Sequence, residues 1–228
     1  MKPNYTHIAV LLDASGSMGS CYRDTVAGFN KFLADQKTAP GTATMSMVQF
    51  NNQATTTVEF ADIQAVSPLD HSNYHVGGGT ALVDAMVQTI DQVGRRLAAM
   101  NESDRPSKVI FLTLTDGEEN ASRQYGNGDL KQRIETQQKQ FNWEFVYLGA
   151  NQDAIAMSKQ YGYVATNVMS FAQSPQGLMA SYTSASSNLR SLRAGTKADM
   201  SFTDADKDLQ TAAGVDPALN PKTATAQP

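Results

Sequence analysis

One cysteine, three histidines and one tryptophan are the whole stock of those residues in 228 positions. The lone Cys21 excludes an internal disulfide and a cysteine-rich zinc site. Basic patches are missing as well: 18 Lys and Arg stand against 22 Asp and Glu, for a formal charge of −4. With no Lys/Arg-rich stretch, a general nucleic-acid binder is not expected. No apolar run approaches the roughly 18 residues that span a bilayer. The one nearest the start, in MKPNYTHIAVLLDASG, is cut by Asp13. It is too short for the apolar core of a secretion signal, and no small-residue cleavage site follows it. The expectation is a cytoplasmic protein that makes no use of membranes. What is present is ordinary for a folded chain: 41% apolar residues and a length that suits one domain with a sizeable core.

Periodicity divides the chain into alternating strands and helices. IAVLL reads as a buried strand, and Val26, Phe29, Phe32 and Leu33 recur at helical spacing between about Tyr22 and Lys37. After Pro40 and Gly41, TMSMVQF and TTTVEF read as two strands of a hairpin, although its turn NNQA lacks an Asn-Gly signature. Leu82, Val83, Met86, Val87, Ile90, Val93 and Leu97 trace one face of a long helix. KVIFLTLTD, apolar at nearly every position, has the composition of a centre strand covered on both faces. A helix over about 129–140, the strand WEFVYLG, a short helix over 151–161, a brief strand at 163–166 and a last helix through Leu178 to Leu192 complete the pattern. Such alternation predicts an α/β fold with a doubly wound, mostly parallel sheet and one antiparallel edge strand. Beyond about Ala194 large apolar residues become scarce. Residues 1–194 are therefore read as the domain and 195–228 as a flexible C-terminal tail.

In a doubly wound sheet, ligands bind at the carboxyl ends of the strands. Three polar features fall there: Asp13-Ala14-Ser15-Gly16-Ser17 after the first strand, Thr80 after the run Gly77 to Gly79, and Thr115-Asp116-Gly117 after the centre strand. Two carboxylates and three hydroxyls are hard oxygen donors, suited to Mg²⁺ or Mn²⁺ better than to Zn²⁺. Each has a plainer reading. Ser15 or Ser17 could cap the following helix, and Gly16 could mark a turn. The glycine run is no phosphate loop, since no Gly-Lys-Ser/Thr follows. His71 and His75 are taken as loop residues, and Cys21 as a residue at a helix start. Tyr22, Arg23, Glu118, Glu119 and Tyr125 fall in or beside the rim loops, as partner contacts or simply as solvated loop residues.

Taken together, Asp13-x-Ser15-x-Ser17, Thr80 and Asp116 resemble the metal-ion-dependent adhesion site of the von Willebrand factor type A (VWA) family, and the order of elements over roughly residues 5–193 is similar. That resemblance implies the Rossmann-like VWA fold, with Ser15, Ser17 and Thr80 on a Mg²⁺ or Mn²⁺ ion directly and Asp13 and Asp116 acting mostly through water. It implies a protein-binding module whose partner completes the coordination with a carboxylate. Small standalone members of this kind, in bacteria and their phages, serve as adaptors, sometimes beside ATPases. Two other roles are weighed: an assembly component, for instance of a phage particle, and a Mg²⁺-dependent phosphatase. Phosphatases of the haloacid-dehalogenase type carry a second aspartate two residues after the first as acid/base, and here that position is Ser15. A serine hydrolase lacks its Gly-x-Ser-x-Gly elbow. The expectation is therefore a binding protein, not an enzyme.

Overall fold

The strand read as central does lie inside the sheet. The computed structural model describes residues 1–150 and 154–222. In it, β1 (Lys2–Asp13), β2 (Thr42–Phe50), β3 (Ala54–Asp62), β4 (Pro106–Thr115), β5 (Glu144–Ala150) and β6 (Val168–Phe171) form one sheet in the order β3-β2-β1-β4-β5-β6. Every neighbouring pair is parallel except β2 and β3. That hairpin turns without Asn-Gly because Asn51 Oδ1 accepts from Gln53 N while Asn51 N donates to Gln53 O.

Among the described residues, six α-helices cover the two faces: α1 (Tyr22–Thr38), α2 (Leu82–Ala98), α3 (Asn127–Phe141), α4 (Ala154–Tyr161), α5 (Pro175–Arg193) and α6 (Asp204–Ala212). The two-residue alternation of β1 sorts its side chains between two cores. Ile8, Val10 and Leu12 join Ile110, Leu112 and Leu114 of β4 under Phe29 and Phe32 of α1 and Leu178, Tyr182 and Leu189 of α5. Ala9 and Leu11 face the other way with Phe111, against Leu82, Met86 and Ile90 of α2 and Leu130 and Ile134 of α3. Each large apolar side chain buried this way is worth about 1.5–3 kcal/mol.

Helices α1 and α5 approach closely where Gly28 meets Tyr182: a β-carbon on Gly28 would lie 2.2 Å from Tyr182 Cδ2. That ring is fully enclosed and cannot step aside. Gly28→Ala is therefore expected to destabilise the fold by about 1–3 kcal/mol, because overpacking outweighs the helix preference of alanine. Urea unfolding measures it, and an unchanged or higher midpoint would contradict this packing.

Two expectations are corrected. Residues 163–166 form no strand. Tyr163 is buried because its ring meets Phe145 and Tyr147 edge-on and its hydroxyl pairs with Thr113, while residues 165–167 make a 3₁₀ turn. The strand is the next segment, β6, which pairs with β5 from Tyr147↔Val168 to Ala150↔Phe171. The short helix begins at Ala154, and 151–153 lie outside the described residues.

The segment after Ala194 is the second correction, because as far as residue 222 it is docked and not loose. Met200, Phe202 and Val215 are buried, and α6 starts with a capping box in which Thr203 and Asp206 exchange bonds. Few apolar residues suffice because buried amides do the rest. Asn220 pairs with the backbone of Ser170 in both directions, and Gln210 Nε2 donates to Gly177 O. Residues 223–228 of the expected tail lie outside the described residues. Among the described residues no helix is long and apolar enough to cross a membrane.

Candidate functional site

Because β1 and β4 are direct neighbours, Asp13 and Thr115 end side by side. Beyond Asp13 the chain stays attached to the sheet for one more bond, Ala14 N to Phe50 O at 2.7 Å. It then pairs with the glycine run: Gly77 N donates to Ala14 O at 2.9 Å and Gly16 N to Gly78 O at 3.0 Å. Glycine at 16 permits this approach, since a β-carbon there would sit 3.3 Å from Gly78 O. Gly78, at φ +81°, adopts a backbone conformation that favours glycine.

Asp13 is fully buried. Its Oδ1 accepts from Ser15 N at 2.7 Å and its Oδ2 from Thr115 Oγ1 at 2.5 Å. Burial pushes its carboxyl above the usual range, against the hydrogen bonds from Thr115 and Ser15, and the charge of Asp116 adds to the rise. Ser15 heads the 3₁₀ turn Gly16–Cys21 yet makes no side-chain capping bond. Its hydroxyl lies 3.0 Å from that of Ser17 instead, and Ser17 Oγ donates to Asp116 Oδ1 at 2.6 Å. The capping reading of Ser15 therefore fails. Thr80 is buried, with its N–H on Asn120 Oδ1 and its carbonyl accepting from Asn120 N and Ala121 N.

The three segments meet over Gly117. A β-carbon on Gly117 would lie 2.9 Å from Thr80 Oγ1, 3.3 Å from Ser17 Oγ and 3.6 Å from Asp13 Oδ2. Oxygens from two separate loops thus face the glycine of a third, across one small space that only a glycine leaves open. Neither imidazole nor thiolate belongs to the set, and among the described residues no group of three or more His, Cys, Asp or Glu gathers anywhere. Such a set of carboxylate and hydroxyl oxygens fits a hard divalent cation.

Several positioning residues were not legible from sequence. Glu119 accepts from the backbone N–H of Val83, Ala121 and Ser122, and Asp84 from those of Arg123, Gln124 and Tyr125. Together they lace the loop after β4 onto the start of α2. Gln173 Nε2 donates to Asp116 Oδ2 at 2.8 Å. Acidic and amide residues in loops carry no periodic signal, so only contact reveals these roles.

The rim candidates divide. Arg23 and Glu118 are exposed, and Tyr22 is stacked on Tyr74 with its hydroxyl on the Tyr74 carbonyl. Tyr125 is half-buried against the α2 and α3 core, with the Arg133 guanidinium over its ring. His71 and His75 are exposed and lie outside helices. Cys21 ends the 3₁₀ turn, and burial pushes its thiol up to about 11, so it stays protonated at neutral pH.

A doubly wound α/β domain with paired carboxylates and three hydroxyls at the carboxyl ends of its strands is the class defined by this fold and rim. A family model described as the von Willebrand factor type A domain matches residues 7–194, and the chain belongs to that family. VWA domains are generally metal-dependent protein-interaction modules. No curated protein matches the sequence.

Among solved structures, proximal thread matrix protein 1 from the mussel byssus, described with a zinc-occupied MIDAS motif, is similar at 18% identity and a TM-score of 0.53, over 82% of this chain and 45% of that one. The pilus adhesin SpaC from Lactobacillus rhamnosus GG is similar at 12% identity and a TM-score of 0.58, over 84% of this chain and 30% of that one. The ArnB paralog VWA2 from Sulfolobus acidocaldarius is similar at 18% identity and a TM-score of 0.50, over 79% and 44%. The chain thus matches less than half the length of each, and at these identities the likeness concerns the fold.

Proposed function

We propose that this domain recognises a partner protein through a divalent cation, Mg²⁺ or Mn²⁺, held by Asp13, Ser15, Ser17, Thr80 and Asp116. The observation that carries this reading is the convergence of Thr80, Ser17 and Asp13 oxygens around Gly117. Both oxygens of Asp13 are already engaged by Ser15 and Thr115, which favours an indirect role for it and direct contacts from Ser15, Ser17 and Thr80. Neutral hydroxyls leave much of the divalent charge uncompensated, so a carboxylate from a partner is the natural completing group. The oxygen-only set favours Mg²⁺ or Mn²⁺ over the zinc described for the mussel protein.

Binding and not catalysis is the role. The position that would protonate a leaving group in a phosphatase is Ser15, whose hydroxyl faces Ser17. Tyr22, Arg23 and Glu118 would then tune partner choice from the rim, while the packing of Tyr125 against Arg133 argues for a lesser part. An adaptor beside an ATPase is one setting that suits such a module.

A pull-down from the native host in Mg²⁺ and in EDTA tests this reading. A partner is expected to be retained by the native chain in Mg²⁺ and lost in EDTA or with Ser15→Ala. Equal retention in EDTA would reject metal-bridged recognition.

A further inference from the structure

We infer that Gln173 is a positioning residue for Asp116, and that the C-terminal segment beyond the family match holds Gln173 in place. The inference rests on the cation reading above. Asp116 is gripped at both oxygens: Oδ1 accepts from Ser17 Oγ at 2.6 Å, and Oδ2 accepts from Gln173 Nε2 at 2.8 Å. The buried Cys21 thiol also approaches Oδ2, at 3.8 Å, but Gln173 makes the short bond, and with Oδ2 held there Oδ1 is kept turned toward the hydroxyl cluster. A carboxylate fixed in advance has no rotational freedom to lose when a cation arrives.

Gln173 is itself exposed, and apart from a 3.4 Å bond from its Nε2 to Ser20 Oγ its aim comes from its backbone. It sits in the turn between β6 and α5, which is drawn tight by Ser174 N on Ala172 O and by Gly177 N on Ser174 Oγ. Gly177 is pressed onto Ala172, whose carbonyl oxygen would be 2.4 Å from a β-carbon there. Two buried amides of the C-terminal segment clamp this turn on either side. Asn220 makes two 2.8 Å bonds to the backbone of Ser170, and Gln210 Nε2 donates to Gly177 O at 3.0 Å. The family match ends at residue 194. Residues 195–222 thus lie outside the family match and reach the rim through one turn.

Calorimetric titration of Mg²⁺ into the full chain tests this with Gln173→Met, which keeps the length but removes the donor. The expected result is affinity weaker by about tenfold, as for other groups that orient metal ligands, with an unchanged melting temperature in metal-free buffer. A purely structural role would move the melting temperature as well.

Asn220→Ala is expected to weaken Mg²⁺ binding in the native background and to add nothing in the Gln173→Met background. Gln210→Leu takes its place should Asn220→Ala not fold. Binding by Gln173→Met within twofold of the native chain overturns the positioning role. Equal losses from Asn220→Ala in both backgrounds overturn the link to the C-terminal segment. Absence of Mg²⁺ binding by the native chain overturns the cation reading itself, and this inference with it.

Discussion

Asp13→Ala is expected to abolish divalent-cation binding: Mg²⁺ titrated into the variant should give no saturable heat, where the native chain should give a binding curve. The effect is large because Asp13 organises two of the three loops at once. Its carboxylate takes the Ser15 N–H and the Thr115 hydroxyl, and its own carbonyl accepts from Tyr74. Removing the carboxylate frees the DASGSM turn from β4, and the hydroxyls of Ser15 and Ser17 lose their shared aim.

The same variant separates cation binding from folding. Burial raises the Asp13 carboxyl, so the folded state holds its proton more tightly than the unfolded chain does. The ionised form therefore opposes folding: this contribution is favourable at low pH and is lost as pH rises through the carboxylate range. At neutral pH the metal-free native chain carries that burden, and a bound cation would relieve it. Mg²⁺ at a hundred times its dissociation constant adds about 2.7 kcal/mol. For a chain of this size that is a rise of roughly 5–10 °C in melting temperature. Asp13→Ala should show no rise at all. A Mg²⁺-dependent shift equal to that of the native chain would remove Asp13 from the site.

Truncation after Ala194 is expected to lower the melting temperature by roughly 10 °C. The composition of 195–228 points the other way, but Met200, Phe202 and Val215 are each almost fully enclosed. Met200 and Phe202 sit in the same core as Phe171, Leu189 and Leu192, so their removal uncovers that core, at about 1.5–3 kcal/mol for each large apolar side chain left bare. Each kcal/mol moves the midpoint by about 2–4 °C in a chain of this length. The edge of β6 also loses Asn220, whose amide satisfies both Ser170 backbone groups, and an unpaired strand edge invites association. Thermal melting and light scattering on the truncated chain check both outcomes. A midpoint within 2–3 °C of the native value, on the same scale, would show the segment to be an ornament.

The readings that held rest on signals within a short stretch of chain. Apolar runs and two-residue alternation marked every strand but β6, and 3.6-residue spacing marked the longer helices, because a buried face must repeat wherever the element lies. Strand β6 escaped because four residues are too few for a period, and Tyr163, buried by aromatic contact alone, imitated one. Helix α6 escaped because buried Gln210 and Lys207 face inward where apolar residues are looked for. Lys207 is tolerable there because its Nζ reaches Pro221 O at 2.6 Å.

By itself the sequence determined the class of the protein: the alternating elements, the three polar loops at the strand ends, and the residue types Asp13, Ser15, Ser17, Thr80 and Asp116. These depend on local pattern, and local pattern is written in order along the chain. Only the tertiary structure decided which groups surround Gly117, that Glu119 and Asp84 tie the loop after β4 to α2, and that Gln173 reaches Asp116 from the far side of the rim. It also decided that residues 195–222 belong to the folded body. The physical reason is the same in each case. These are single hydrogen bonds and contacts between segments far apart in the chain, made by polar side chains whose partners no periodicity announces.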